Sequence, residues 1–401
     1  MIHAQASPRP HLKITAKNCR QQKSLCPIFC CLLFWLCASF LFLNPQNASA
    51  HETVSLDEML GAMIMCGFRE AELTEDSDIL KQIASGRLGH VILFDRDVTT
   101  GKKRNILSRP QVRALTQTLR AHAAHPILIA VDQEGGRVRR FKEQMGFPPL
   151  PAPAEMGHAS PKTTEALARA TGQELHTLGI NVDFAPVADL DGSRHGHRSR
   201  LAAQMRTFGA QAETVTAHAL AFGQGLFQSG VLPTLKHFPG LGCAEQDTHQ
   251  ERADIAACFR REQDLVPFRT AIAQSWPGLI MVSHANLDPE YPATLSKAVV
   301  TDLLRGELGW QGVVISDDLQ MQAIRRYFSL EESIRLAVSA GVDILLFGNN
   351  LVWEEDLPRR AHAALKHLVT TGVLSKERIE TSWRRIQELF KYLDRPASNL
   401  R

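Results

Sequence analysis

Residues 312–348 read GVVISDDLQMQAIRRYFSLEESIRLAVSAGVDILLFG, and their pattern decides the fold. Apolar runs at 312–317 and 344–348 predict two buried strands. Between them, at 330–340, apolar residues recur three and four apart, the period of an amphipathic helix. The same alternation extends towards the N-terminus. Strands are predicted at 63–68, 91–95, 127–132, 182–189, 234–238 and 279–285, with helical segments at 161–178, 211–228, 259–275 and 296–308 and a last helix at 376–393. Eight buried strands alternating with helices predict an α/β fold, a (β/α)8 barrel in one domain. An open doubly wound sheet would need a glycine-rich nucleotide turn after its first strand, and Gly67-Phe68-Arg69 is not one.

The first fifty residues are chemically distinct from the rest. Arg9, Lys13, Lys17, Arg20 and Lys23 stand in the first 24 residues without an acidic residue, the run from Cys26 to Leu43 carries no charge, and Ala48-Ser49-Ala50 follows. A basic start, an apolar stretch and small residues at alternate positions predict a secretory signal peptide over 1–50, cleaved after Ala50, with the single domain occupying 51–401. The alternative is an uncleaved membrane anchor, since the apolar run is just long enough to span a bilayer. Setting the leader aside lowers Lys and Arg from 45 to 40 against 42 Asp and Glu, so the formal charge moves from +3 to −2. The remaining chain carries no basic excess of the kind that binds nucleic acid or anionic membranes. Five of the eight cysteines also belong to the leader. Of Cys66, Cys243 and Cys258, one pair, Cys243 with Cys258, could be bridged in an oxidising compartment, and the odd count leaves a thiol free. The basic segment from Arg96 to Ser108 reads as a solvated surface loop.

In a barrel of this kind, reacting groups project from the C-terminal ends of the strands. The third predicted strand runs into Asp132-Gln133-Glu134-Gly135-Gly136-Arg137, and the fourth carries Asp183 and Asp189. The fifth ends in Lys236-His237, the sixth in His284 and the seventh in Ser316-Asp317-Asp318. Any one of these could be a helix cap or half of an ion pair. Ionisable groups from five strands at one rim carry a desolvation cost that folding alone does not require, so together they mark a site.

Five segments carry a family resemblance: AVDQEGGRVRRF at 130–141, NVDFAPVADLD at 181–191, RTFG at 206–209, KHFPGLGCAEQDTH at 236–249 and SDDLQM at 316–321. Together they resemble glycoside hydrolase family 3, in its β-N-acetylglucosaminidase branch. The resemblance implies a retaining β-N-acetylhexosaminidase with Asp317 as nucleophile, Asp318 being placed to cap the following helix. It implies His249 as acid/base, on a loop from Pro239 that Gly240 and Gly242 make mobile, with Asp247 orienting the imidazole. Asp132 is expected to bind sugar hydroxyls, with Arg140, Arg206, Lys236 and His237 completing the ring of donors. Arg140 and Arg206 could instead be barrel ion-pair partners, Arg206 equally so, and His284 is left outside the site.

The expected partner is a small oligosaccharide or muropeptide, from cell wall or chitin, with no nucleic acid and no stable membrane association after processing. No cofactor or metal is expected, because the proposed site lacks metal-ligand spacings such as H-E-x-x-H or paired C-x-x-C. Three alternatives stay open: a β-glucosidase of the same family, an N-acetylglucosaminide phosphorylase, and a secreted barrel that binds sugar without cleaving it. The leader places the protein in the periplasm or outside the cell.

Overall fold

The computed structural model describes residues 54–195 and 199–393. The predicted leader, its cleavage site and the expected start at His51 lie outside the described residues. Eight parallel strands form one sheet: β1 (Ile64–Gly67), β2 (His90–Ile92), β3 (Leu128–Val131), β4 (Val182–Asp183), β5 (Leu232–Phe238), β6 (Leu279–Val282), β7 (Val314–Ser316) and β8 (Leu345–Phe347). β1 pairs with both β2 and β8, and Ile315 of β7 bridges Ile344 beside β8, which closes the ring. This is the (β/α)8 barrel. Every residue of the eight strands is buried, as expected where helices cover the outer face and side chains fill the interior.

The surrounding helices start where the sequence supplies a hydroxyl cap. Ser108, Ser160 and Ser329 each accept a hydrogen bond from the backbone N–H three residues on, opening the helices Arg109–His122, Pro161–Thr177 and Leu330–Ala340. Each such cap is worth about 1 kcal/mol. Gly341 closes the last of these at φ 116°, a conformation that an L side chain would strain.

Three boundaries differ from expectation. The strand predicted at 182–189 is regular only over Val182–Asp183; Pro186 has no N–H to donate and interrupts it, and the segment rejoins β5 through a bridge between Val187 and Lys236. The helix predicted at 259–275 is two short helices, Arg261–Asp264 and Val266–Ala273, with Pro267 in the first turn of the second. The segment 298–307 is a wide, π-type helix.

The segment 96–108 is a solvated loop over most of its length, with Arg96, residues 98–103, Leu107 and Ser108 exposed, but it is anchored by buried polar side chains. Asp97, Arg104 and Asn105 are buried, with Arg104 only 2 % exposed. Arg104 donates from Nε to the Phe68 carbonyl at 2.6 Å and from Nη1 to Asn350 Oδ1 at 2.6 Å, while Asn105 Nδ2 donates to the carbonyls of Phe68 and Glu70. Arg104 and Asn105 thus satisfy carbonyls of the loop after β1, while Asp97 accepts from Arg69 at 2.7 Å. Among the described residues, no helix is long and apolar enough to cross a membrane.

Candidate active site

The C-terminal ends of the strands surround a cleft of about 550 Å³. Asp132, Arg140, Arg206, Lys236, His237, Asp247, His249 and Asp317 all line it, so the fold brings every residue predicted for the site to one place.

Asp132 and Glu134 flank the end of β3, where a tight hairpin pairs Gln133–Gly135 with Val138–Arg139. Gly135 sits at φ 105°, and a Cβ there would meet the Pro151 carbonyl at 2.2 Å, so only glycine fits this turn. Lys236 on β5 reaches both carboxylates, 3.2 Å from Asp132 and 2.7 Å from Glu134. Arg140 donates to Asp132 at 2.9 Å. Arg206 grips Glu134 with two parallel bonds of 2.8 Å. Burial alone would raise the pKa of Glu134, but the Arg206 and Lys236 charges outweigh it and hold the carboxylate ionised.

Arg206 is therefore first an ion-pair partner, the alternative that its sequence context left open, although it also faces the cleft. Glu134 is the residue that sequence reasoning missed. Its motif was in view, but its two partners lie 72 and 102 residues further along the chain. Asp183, buried near them, accepts from the Gln133 N–H, the only hydrogen-bond donor to it among the described residues, and burial pushes its pKa up to about 8.

Across the cleft, Asp317 follows β7 directly and is 8 % exposed. Its N–H donates to the Val282 carbonyl, and its Oδ1 accepts from the Asp318 N–H at 2.8 Å. Burial would raise its pKa, but His284, His237 and His249 hold it below the ordinary carboxylate value. His284 donates from Nε2 to the Asp318 carbonyl, a direction fixed because a carbonyl only accepts. It is buried and outside the cleft lining.

Asp318 does not cap a helix. The next helix begins at Gln322, and Asp318 Oδ1 instead accepts from the backbone N–H groups of Gln320 and Gly348. Gly348 is required there, since a Cβ would lie 2.5 Å from Asp318 Oδ2. Burial raises the Asp318 pKa to about 6, so at neutral pH it is a poorer standing anion than Asp317.

The loop after β5 brings in Asp247 and His249. Asp247 Oδ1 accepts from the His249 ring Nδ1 at 2.8 Å and from the His249 N–H at 3.0 Å, and Oδ2 accepts from Arg200 at 3.1 Å. The His249 side chain is 46 % exposed at the mouth of the cleft. Loss of solvent works to lower its pKa, but the Asp247 hydrogen bond and the charges of Asp317 and Asp247 raise it overall. The glycines of this loop also have a packing role. A Cβ on Gly242 would come within 1.7 Å of the Leu190 carbonyl, and one on Gly240 within 3.2 Å of Asp264. His237 is tied to Asp189 at 2.7 Å, and the same carboxylate accepts from the Leu241 N–H at the start of the loop. A disulfide joins Cys243 to Cys258, while Cys66 is free and buried in β1.

A charged donor ring, a rigid carboxylate and an oriented imidazole suit a polyhydroxylated substrate and a two-step displacement. The family assignment rests on the whole barrel. The N-terminal domain of glycosyl hydrolase family 3 matches residues 55–389. The chain belongs to glycosyl hydrolase family 3. Among family relatives, the β-hexosaminidase of Alkalilimnicola ehrlichii is 35 % identical over 353 residues, covering 83 % of this chain and 94 % of the relative. That of Stenotrophomonas maltophilia K279a is 37 % identical over 324 residues, covering 78 % and 90 %. Among solved family 3 structures, a β-N-acetylglucosaminidase from Paenibacillus sp. FPU-7 superposes with a TM-score of 0.76 at 32 % identity, covering 86 % of this chain. The present chain spans 64 % of that longer protein. A β-N-acetylhexosaminidase from Beutenbergia cavernae gives 0.71 at 29 % identity, with 84 % and 98 % covered.

Proposed function

We propose that the chain is a retaining β-N-acetylhexosaminidase that removes terminal β-linked N-acetylglucosamine from cell-wall or chitin-derived oligosaccharides through a glycosyl-enzyme intermediate. The observation that carries this reading is the pairing of Asp317 with the Asp247–His249 dyad in one cleft, close enough for their charges to shift one another. Its family 3 relatives from Alkalilimnicola and Stenotrophomonas, named as β-hexosaminidases, support the substrate class.

Asp317 attacks the anomeric carbon as the ionised carboxylate. His249 donates from Nε2 to the departing oxygen, since Nδ1 is held by Asp247, and then takes a proton from the attacking water. Asp132, Lys236 and Arg140 form a network of fixed charges and hydrogen-bonding groups for the sugar hydroxyls. Purified enzyme should turn over an aryl N-acetyl-β-glucosaminide at least about tenfold faster than the matching β-glucoside, because contacts to an acetamido group are worth roughly 1.4 kcal/mol or more. Equal rates would sink the substrate assignment. Parallel assays on N-acetylglucosaminyl muropeptide and chitobiose distinguish the two natural sources.

The general-acid role sets the pH profile. His249 must be protonated for the first step, and its pKa is raised, so kcat/KM should fall as pH rises through a value above that of an ordinary imidazole. Asp247→Asn removes the charge, and weakens the charge-assisted hydrogen bond, that raise it and should move this alkaline limb to lower pH. A limb unmoved by the substitution would assign it to another group.

Export is part of the same reading. The residues before His51 have the signal-peptide pattern, and the Cys243–Cys258 bridge belongs to an oxidising compartment. The intact mass of the processed protein should correspond to a chain starting at His51. Retention of residues 1–50 in a detergent-dependent product would favour a membrane anchor instead.

A further inference from the structure

We propose that the Cys243–Cys258 disulfide is a positioning element for His249, holding the proton donor at the distance that cleavage of a poor leaving group requires. The inference rests on the acid/base role given to His249 above. The bridge joins residues 15 apart, and both Asp247 and His249 lie inside the ring that it closes.

The two feet of this ring are well held. On the entering side the Gly192 N–H donates to the Gly242 carbonyl at 3.2 Å, and Gly242 packs against Leu190. On the leaving side Ala253–Asp254 pairs with Ala285–Asn286, and the Ile255 N–H donates to the Asn286 carbonyl at 2.9 Å. The tip between them is held by other segments: the Gln250 and Glu251 N–H groups bond back to the Asp247 carbonyl, Arg200 and the Ala323 N–H reach in to Asp247 and to the Thr248 carbonyl, and Arg252 stacks on Tyr327 at 3.8 Å. The disulfide adds a covalent tie between the two feet, closing the loop on which Asp247 and His249 are carried.

The ring also packs in a second apolar cluster, where Cys243, Ala244, Ala253 and Ile255 meet Leu201, Leu241 and Ala285, with Phe259 and Leu287 packed against both this cluster and the main core. Opening the bridge should loosen this appendage and leave the barrel strands, with Asp317, in place. An opened loop of this length samples many conformations, and a misplacement of about 1 Å can cost about 10²-fold in rate.

The test compares three forms of the purified enzyme: oxidised, reduced with dithiothreitol, and the double variant Cys243→Ser/Cys258→Ser. In the reduction the S–S bond takes two electrons and two protons from the dithiol, which closes to its own cyclic disulfide. Thiol titration after denaturation follows the opening, with Cys66 as the constant background. Two rates are read from each sample: kcat/KM on chitobiose, and the pre-steady-state burst on a dinitrophenyl N-acetyl-β-glucosaminide, whose leaving group needs no proton. Opening the bridge should lower the chitobiose rate about tenfold or more while the burst changes less than about twofold, and reoxidation should restore the wild-type ratio. In a His249→Ala background, opening should leave the ratio unchanged, because no donor remains to be positioned.

If both rates fell together, or neither fell with the bridge shown open, the positioning role would be wrong. A double variant that failed to fold would leave the reduced wild-type enzyme to decide between these outcomes. If His249→Ala with the bridge intact showed no dependence on the leaving group, the acid/base reading and this proposal would fall together. A normal leaving-group effect there, with a ratio insensitive to reduction, would overturn the proposal alone.

Discussion

Asp317→Ala should abolish turnover of every substrate, activated or natural, with kcat falling about 10⁴-fold or more because no other group can form the glycosyl ester. The expectation follows from position and charge together. Asp317 stands one residue beyond β7, its backbone is held by the Val282 carbonyl, and its carboxylate is kept ionised by three surrounding histidines despite burial. Asp318, the adjacent carboxyl, is the natural competitor for the role. Its Oδ1 is occupied by the Gly348 and Gln320 N–H groups, and its pKa stands near 6. Asp318→Ala should therefore act first on stability, since each buried N–H left without an acceptor costs about 1–3 kcal/mol. Burst kinetics with a dinitrophenyl glycoside and thermal unfolding of both variants separate the two cases. A full burst from Asp317→Ala, or a folded Asp318→Ala enzyme with no burst, would move the nucleophile to the neighbouring residue.

The fold was legible because its signal is local. Each strand is an apolar run buried on both faces, and each run survives as a strand in the barrel. The charged strand ends were legible for a related reason: once the strands are placed, the rule that chemistry sits at their C-terminal ends puts Asp132, Asp183, Asp189, Lys236, His237, His284 and Asp317 at one rim, and the family resemblance chooses among them. What sequence reading missed involves partners far apart in the chain. Glu134 and Arg206 are 72 residues apart, and nothing local to Glu134 shows that its carboxylate is consumed by a bidentate pair and a lysine. Arg104 looks like one charge in a basic loop until the Phe68 carbonyl, 36 residues earlier, is found to need it. The packing role of Gly242 was hidden in the same way. A glycine in a loop suggests freedom when seen alone, but here it is the one residue that lets Leu190 and the catalytic loop touch.

His249→Ala should produce a defect that depends on the leaving group, unlike the uniform loss at Asp317. Proton donation to a departing sugar oxygen is typically worth about 10²- to 10⁴-fold, whereas a dinitrophenolate leaves unaided. Cleavage of chitobiose should thus fall by about that factor, while the burst from a dinitrophenyl glycoside persists. Steady-state turnover of the activated substrate should still be slow, because the same imidazole activates water in the second step and the intermediate now accumulates. Azide needs no base, so it should restore that turnover and yield a β-glycosyl azide, the configuration expected of two inversions. Asp247 fixes the ring through both the Nδ1–H bond and the backbone N–H of His249, so Asp247→Asn should show the same pattern in milder form. The Arg200 contact to Asp247 makes this orientation a three-residue arrangement, which is why the imidazole can remain 46 % exposed and still be directed into the cleft. An equal loss on activated and natural substrates, with no azide rescue, would show that His249 only shapes the rim, and the proton donor would have to come from another group lining the cleft.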